Sequence, residues 1–189
     1  LIPVTATDEQ QAQYVANILD VWERATRSQL REGKAWYKTA HALADMVSGG
    51  NPRAGAGVIA ALSANKRWSE NQRLAARCYA GDFGGHFPDA LAKVEAIMAG
   101  ADPQDVLPMN VKTGNFFRCI ADPSDPEPVV VDRHAHDLAV GERYGERNRG
   151  LSSVKRYATL AHAYREAARK LGVIPSVVQA VTWTVWKDE

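Results

Sequence analysis

The stretch "NPRAGAGVIAALSANKRWSENQRLAARCYAG", residues 51–81, decides the fold class. Asn51-Pro52 reads as a helix cap followed by a first-turn proline, and "RAGAGVIAALSA" continues as a helix of small residues. Small side chains allow neighbours to approach closely, so this helix is expected to be the most buried of the set. "WSENQRLAARCYAG" gives a second helix with Gly81 as its stop. The same grammar runs outward in both directions. Thr7 and Gln10 have the form of a capping box, followed by Tyr14, Ile18, Leu19, Trp22 and Ala25 at helical spacing, which predicts a first helix over about 8–26. Trp36, Ala40, Leu43 and Val47 form a second apolar stripe, closed by Gly49-Gly50. "FPDALAKVEAIMAG" predicts a helix around 87–100, and "DPQDVLPMNVKTGNFFRCI" a one-turn helix, a tight connection and a helix over about 110–120. "ADPSDPEP" is a surface loop. Ser152 or Ser153 can cap "VKRYATLAHAYREAARKLG", stopped by Gly172, and Pro175 opens a last helix. Alternating strand patterns are nearly absent apart from "VVV" at 129–131. The expectation is an all-α, compact, single-domain fold across 1–189, with N-terminal helices over 1–50 and the main core over 51–189.

Composition bounds the function. Twenty-three basic and 22 acidic residues give a formal charge of +1, so nucleic-acid affinity has to come from local clusters and not from overall field. Cys78 and Cys119 form no CxxC pair, which fits a reducing cytoplasm and gives no disulfide framework. No apolar run approaches about 18 residues and no signal pattern opens the chain, so the expected setting is cytoplasmic, without a membrane partner.

Within "VVVDRHAHDLAVG", residues 129–141, an extended segment becomes a helix at Asp132. An aspartate there can cap the first-turn amides; it can also serve as a carboxylate that stabilises a developing cation or activates a nucleophile. His134 and His136 lie two apart, about 200° around a helix, so they cannot jointly grip one ion and read as solvated or capping histidines. No metal and no cofactor is expected. Lys112, at the start of "VKTGNFF", reads either as a solvated lysine or as an amine nucleophile, which requires a depressed pKa. No Walker loop, GxSxG or GxGxxG is present.

These landmarks, taken in order, resemble the helix-hairpin-helix (HhH-GPD) DNA glycosylases of the endonuclease III type. "VIAALSANKRWSENQRLAAR" resembles their "LLSAQ" helix pair, and "AKVEAI" their next helix. "LPMNVKTGN" is similar to the hairpin "LPGVGRKTAN", and "VVVDRHAHDLAVG" to the "AVDTHVxRVxxRLG" segment. The resemblance implies DNA as partner, a nucleotide flipped out of the helix, Asp132 as the catalytic aspartate and Lys112 as the Schiff-base lysine of bifunctional members. It places Asn65 where the family approaches the gap left by the flipped base. Lys66, Arg67, Arg73 and Arg77 cluster nearby, as do Arg143, Arg147, Arg149, Lys155 and Arg156 after the Asp132 helix, as candidates for phosphates. Trp68 can stack on a base or join the core. Asn71, Asn115, Arg133 and His134 complete the set of DNA- or substrate-binding candidates, whereas Trp183 and Trp186 are assigned to packing.

The departures from the family also carry information. "MNV" replaces the hairpin's Gly-x-Gly and is one residue shorter, and Met109, Asn110 and Val111 cannot cheaply follow the left-handed path that cradles a phosphate. Arg133 stands where the family has Thr. Two cysteines cannot supply a four-cysteine iron–sulfur loop, so no cluster is expected. The glycine-poor hairpin resembles the phage branch typified by alpha-glutamyl/putrescinyl-thymidine pyrophosphorylases. That resemblance implies substitution at an activated 5-hydroxymethyl pyrimidine by a small amine or amino-acid donor. Asp132 then deprotonates the amine, and Lys112 holds the anionic leaving group or acts as a covalent relay. The alternatives are a base-excision glycosylase with lyase activity through Lys112, and a DNA-binding module that has lost catalysis.

Overall fold

The computed structural model describes residues 1–85 and 88–189, and the expected helix start at Phe87 lies outside them. Among the described residues the regular elements are ten helices and no strand: α1 Asp8–Glu23, α2 Arg27–Val47, α3 Pro52–Ala61, α4 Trp68–Tyr79, α5 Pro88–Met98, α6 Pro103–Val106, α7 Lys112–Ala121, α8 Arg133–Val140, α9 Val154–Leu171 and α10 Pro175–Asp188. Several of their ends carry the chemistry the sequence predicts, and Gly141 adds one more. Thr7 and Gln10 close a reciprocal capping box, Asn51 and Ser153 accept from the third residue of their helices, and Gly141 and Gly172 end α8 and α9 in the left-handed conformation.

The chain forms two compact units. One comprises Leu1–Tyr37, Asn110–Lys112 and Ser124–Glu189; the other comprises Lys38–Met109 and Thr113–Pro123. Both are discontinuous, and the first boundary between them falls inside α2, after Tyr37.

In the first unit α1, α8, α9 and α10 pack around Ile18, Val131, Leu138, Leu160, Tyr164 and Val178. Val129, Val130 and Val131 are buried and extended, yet they pair with no strand. The Tyr157 hydroxyl takes the place of a strand partner by donating to the Val129 carbonyl at 2.7 Å and accepting from the Val131 amide at 2.9 Å. One phenol thus engages two backbone groups of the buried run, and it fixes the approach to Asp132. The Tyr164 hydroxyl donates to the Ala135 carbonyl at 2.7 Å, tying α9 to the first turn of α8.

The second unit centres on α3. Gly55 to Ala60 are six consecutive buried residues, as the small-residue pattern predicts. The stripe on α2 differs from expectation. Its buried positions are Gly33 and Tyr37 in the first unit and Ala40 and Ala44 in the second, with Trp36, Leu43 and Val47 half-buried. A Cβ at Gly55 would lie 2.2 Å from the Ala44 carbonyl oxygen, and backbone cannot yield cheaply. Gly55→Ala is therefore expected to destabilise the protein by about 1–3 kcal/mol, the usual cost of overpacking, measured as a lower urea midpoint. An unchanged midpoint would refute this close packing.

Candidate active site

Asp132 is the N-cap of α8, with extended backbone. Its Oδ1 accepts from the Ala135 amide at 2.8 Å, and its Oδ2 accepts from the Trp183 indole N–H at 2.9 Å. The carboxylate plane is thus held from two helices, α8 and α10. The indole has neighbours of its own. Lys187, one turn further along α10, places its ammonium 4.4 Å from the Trp183 ring centre, and the His134 ring meets it edge-on at 6.0 Å. Burial holds the His134 pKa below its ordinary value; the Asp132 carboxylate opposes that shift, and Lys187 and Arg133 reinforce it. At neutral pH His134 is therefore a neutral imidazole beside a carboxylate, able to accept a proton. Trp183, expected only to pack, is a functional candidate that sequence reasoning missed: its partner is 51 positions away, and no local pattern signals the pairing.

Arg133, without a role at the sequence level, donates to the Gly145 carbonyl at 3.0 Å and lies 3.7 Å from Glu146. It ties down the loop after α8 and makes no ion pair with Asp132. Lys112 opens α7, is half-buried and belongs to the same unit as Asp132, but no ion pair joins the two. The solvated or capping reading of His136 needs correction, and four of the arginines that follow the Asp132 helix have protein partners. His136 is fully buried, not solvated, and its Nδ1 lies 2.8 Å from Asp137 Oδ1. Arg149 is not a free phosphate ligand: its Nε and one terminal nitrogen grip Asp137 at 2.7 and 2.9 Å. Arg143 stacks on Trp186 at 4.0 Å, Arg147 pairs with Glu142 at 2.8 Å and Arg156 donates to the Ile2 carbonyl; Arg143, Arg147 and Lys155 are exposed. Among the described residues no group of three or more His, Cys, Asp or Glu side chains could hold a metal ion.

In the second unit, Asn65 and Arg67 are exposed at the turn after α3, while Lys66 and Trp68 are half-buried. Asn65 is the one non-glycine residue in the left-handed region among the described residues, with φ of 56°, a conformation that asparagine tolerates better than most. Arg67 is the N-cap of α4 without a side-chain cap, and Trp68 packs edge-on against Phe116 with ring centres 6.2 Å apart. Asn71 and Asn115, the other two candidates in this unit, are both buried. The last turn of α3 tightens so that the Ser63 amide bonds to Ala60, and the Asn71 amide group takes up the Ile59 carbonyl at 2.9 Å. Asn71 therefore seals a helix end.

Comparison with known sequences matches one family over residues 2–189. The chain belongs to DUF7178, a family of unknown function. No curated protein and no solved structure matches this DUF7178 chain, so its chemistry is read from its own side chains. Among the described residues of the DUF7178 protein, no helix is long and apolar enough to cross a membrane.

The buried histidines carry a pH dependence. Burial lowers the pKa of both His134 and His136, the latter against the pull of its Asp137 bond. For Asp137, burial pushes the carboxyl up, but Arg149, the Tyr144 amide and His136 outweigh it and hold it at about 2. As pH falls through 6.5 the unfolded chain takes up protons that the native histidines refuse, so stability declines. Asp137 adds a second loss of about 2 kcal/mol as pH falls from the ordinary 3.8 towards 2. Urea midpoints are expected to drop steadily from pH 7 to pH 4; a flat profile over that range would contradict the burial of neutral imidazoles.

Proposed function

We propose that the protein is a DNA-base-directed enzyme with the fold of the helix-hairpin-helix glycosylases, acting on a flipped-out modified pyrimidine by substitution at an activated 5-hydroxymethyl group. The observation that carries this reading is the Asp132 carboxylate, set at a helix start behind a buried extended segment and held at both oxygens. Such a group is preorganised to take a proton from an incoming amine. The amine nitrogen bonds to the 5-methylene carbon, the carbon–oxygen bond to phosphate or pyrophosphate breaks, and the surplus amine proton passes to Asp132. Lys112 holds the departing anion. The order of landmarks supports the kinship: the small-residue α3, the turn at Asn65, the short α6 with its tight turn into α7, then the extended run into α8. The turn also favours substitution over excision. Met109, Asn110 and Val111 all keep negative φ, so this connection lacks the glycine nest that grips a phosphate in the excising enzymes. We assign the exposed turn carrying Asn65, Lys66 and Arg67 to the DNA backbone.

The test is incubation with oligonucleotides carrying 5-hydroxymethyluracil or its phosphorylated form, together with small amines and amino acids, followed by nucleoside mass spectrometry and borohydride trapping. A mass gain on an intact nucleoside is the expected result. Abasic sites, or a trapped adduct at Lys112, would replace this reading with base excision. Binding without any chemical change would make the protein a DNA-binding module.

A further inference from the structure

We propose that Trp183 is the positioning residue of the Asp132 centre: its indole N–H, and not the helix cap alone, sets the plane in which the carboxylate meets its substrate. This rests on the base-modification reading above. A capping aspartate needs only one oxygen for its helix, and the Ala135 amide already engages Oδ1. Rotation of the carboxylate about its last bond is broad when only one oxygen is held. The second donor comes from α10, a different helix, and fastens Oδ2 at 2.9 Å, so that both oxygens are fixed. The donor is itself braced, with His134 at the edge of the indole and the Lys187 ammonium 4.4 Å from its ring centre. An aromatic residue that only filled space would not need its polar edge aimed at a carboxylate. Two donors on two rigid helices are the arrangement that keeps a proton acceptor aligned between turnovers.

Trp183→Phe keeps the ring and removes the N–H, and it leaves the α8 cap intact. With the substrate that the wild type turns over, kcat is expected to fall about tenfold or more, with KM and DNA affinity unchanged. An unchanged kcat would overturn the positioning role and leave base modification standing. The indole proton gives a readout independent of activity. In wild type its nuclear magnetic resonance signal, assigned by its loss in Trp183→Phe, is expected to exchange slowly with solvent, and in Asp132→Ala to move and exchange faster. A Trp183 signal that exchanges freely in wild type, or ignores Asp132→Ala, would overturn the inference even if the protein modifies DNA. If no substrate is turned over, the function reading fails, and the indole signal still decides whether Trp183 holds the carboxylate.

Discussion

Arg149→Ala is expected to cost about 3–5 kcal/mol of folding stability, the range for removing one partner of a buried ion pair. The Arg149 and Asp137 side chains are only 11% and 7% exposed, and the guanidinium meets the carboxylate with two nitrogens. Removing the cation leaves a buried carboxylate supported by the Tyr144 amide and His136 alone. It also releases the Gly145 carbonyl, which Arg149 shares with Arg133 and which helps to order the loop after α8. The check is urea denaturation of Arg149→Ala, Asp137→Ala and the double variant. The double variant is expected to lose clearly less than the sum of the singles, since its second substitution removes the unpaired charge that the first creates. Additive losses, or a single-variant cost below about 1 kcal/mol, would mean that the pair behaves as an exposed one.

Asp132→Asn is the second large effect, and it falls on turnover and not on folding. Asparagine caps a helix about as well as aspartate, so α8 keeps its start. It cannot take up a proton in the same way, and its single carbonyl oxygen must serve either Ala135 or Trp183, not both. A positioned general base contributes about 100- to 10,000-fold, and the rate is expected to fall by at least the lower figure. The urea midpoint should move little. A variant that unfolds would make Asp132 chiefly structural, and one that turns over normally would remove it from the chemistry.

Much of the helical framework was legible because helix ends are written in local chemistry. Thr7 with Gln10, Asn51-Pro52, Ser153 and Gly172 all act where the sequence places them. Asp132 was legible for the same reason, being a cap at the end of an extended apolar run. Its partner was not, since the indole arrives from another helix. The buried face of α2 was only partly legible: of the expected stripe Ala40 is buried, and Gly33, Tyr37 and Ala44 complete the face. The interior of α8 held a usable clue. Asp137 sits among Ala135, Leu138 and Ala139, and an acid on a buried face requires a cation, which the arginine-rich loop that follows supplies. Asn71 offered no such clue, because the Ile59 carbonyl becomes available only through the tightened end of α3.

The most direct test of the central claim, that Asp132 activates an amine for attack on an extrahelical pyrimidine, is isotope incorporation. Wild type and Asp132→Asn are each incubated with DNA carrying phosphorylated 5-hydroxymethyluracil and a nitrogen-15-labelled amine, and the nucleosides are then analysed by mass. The account predicts labelled nitrogen in an intact nucleoside with wild type and at least a hundredfold less with Asp132→Asn. Equal labelling by the two proteins, or release of free base by the wild type, would contradict it.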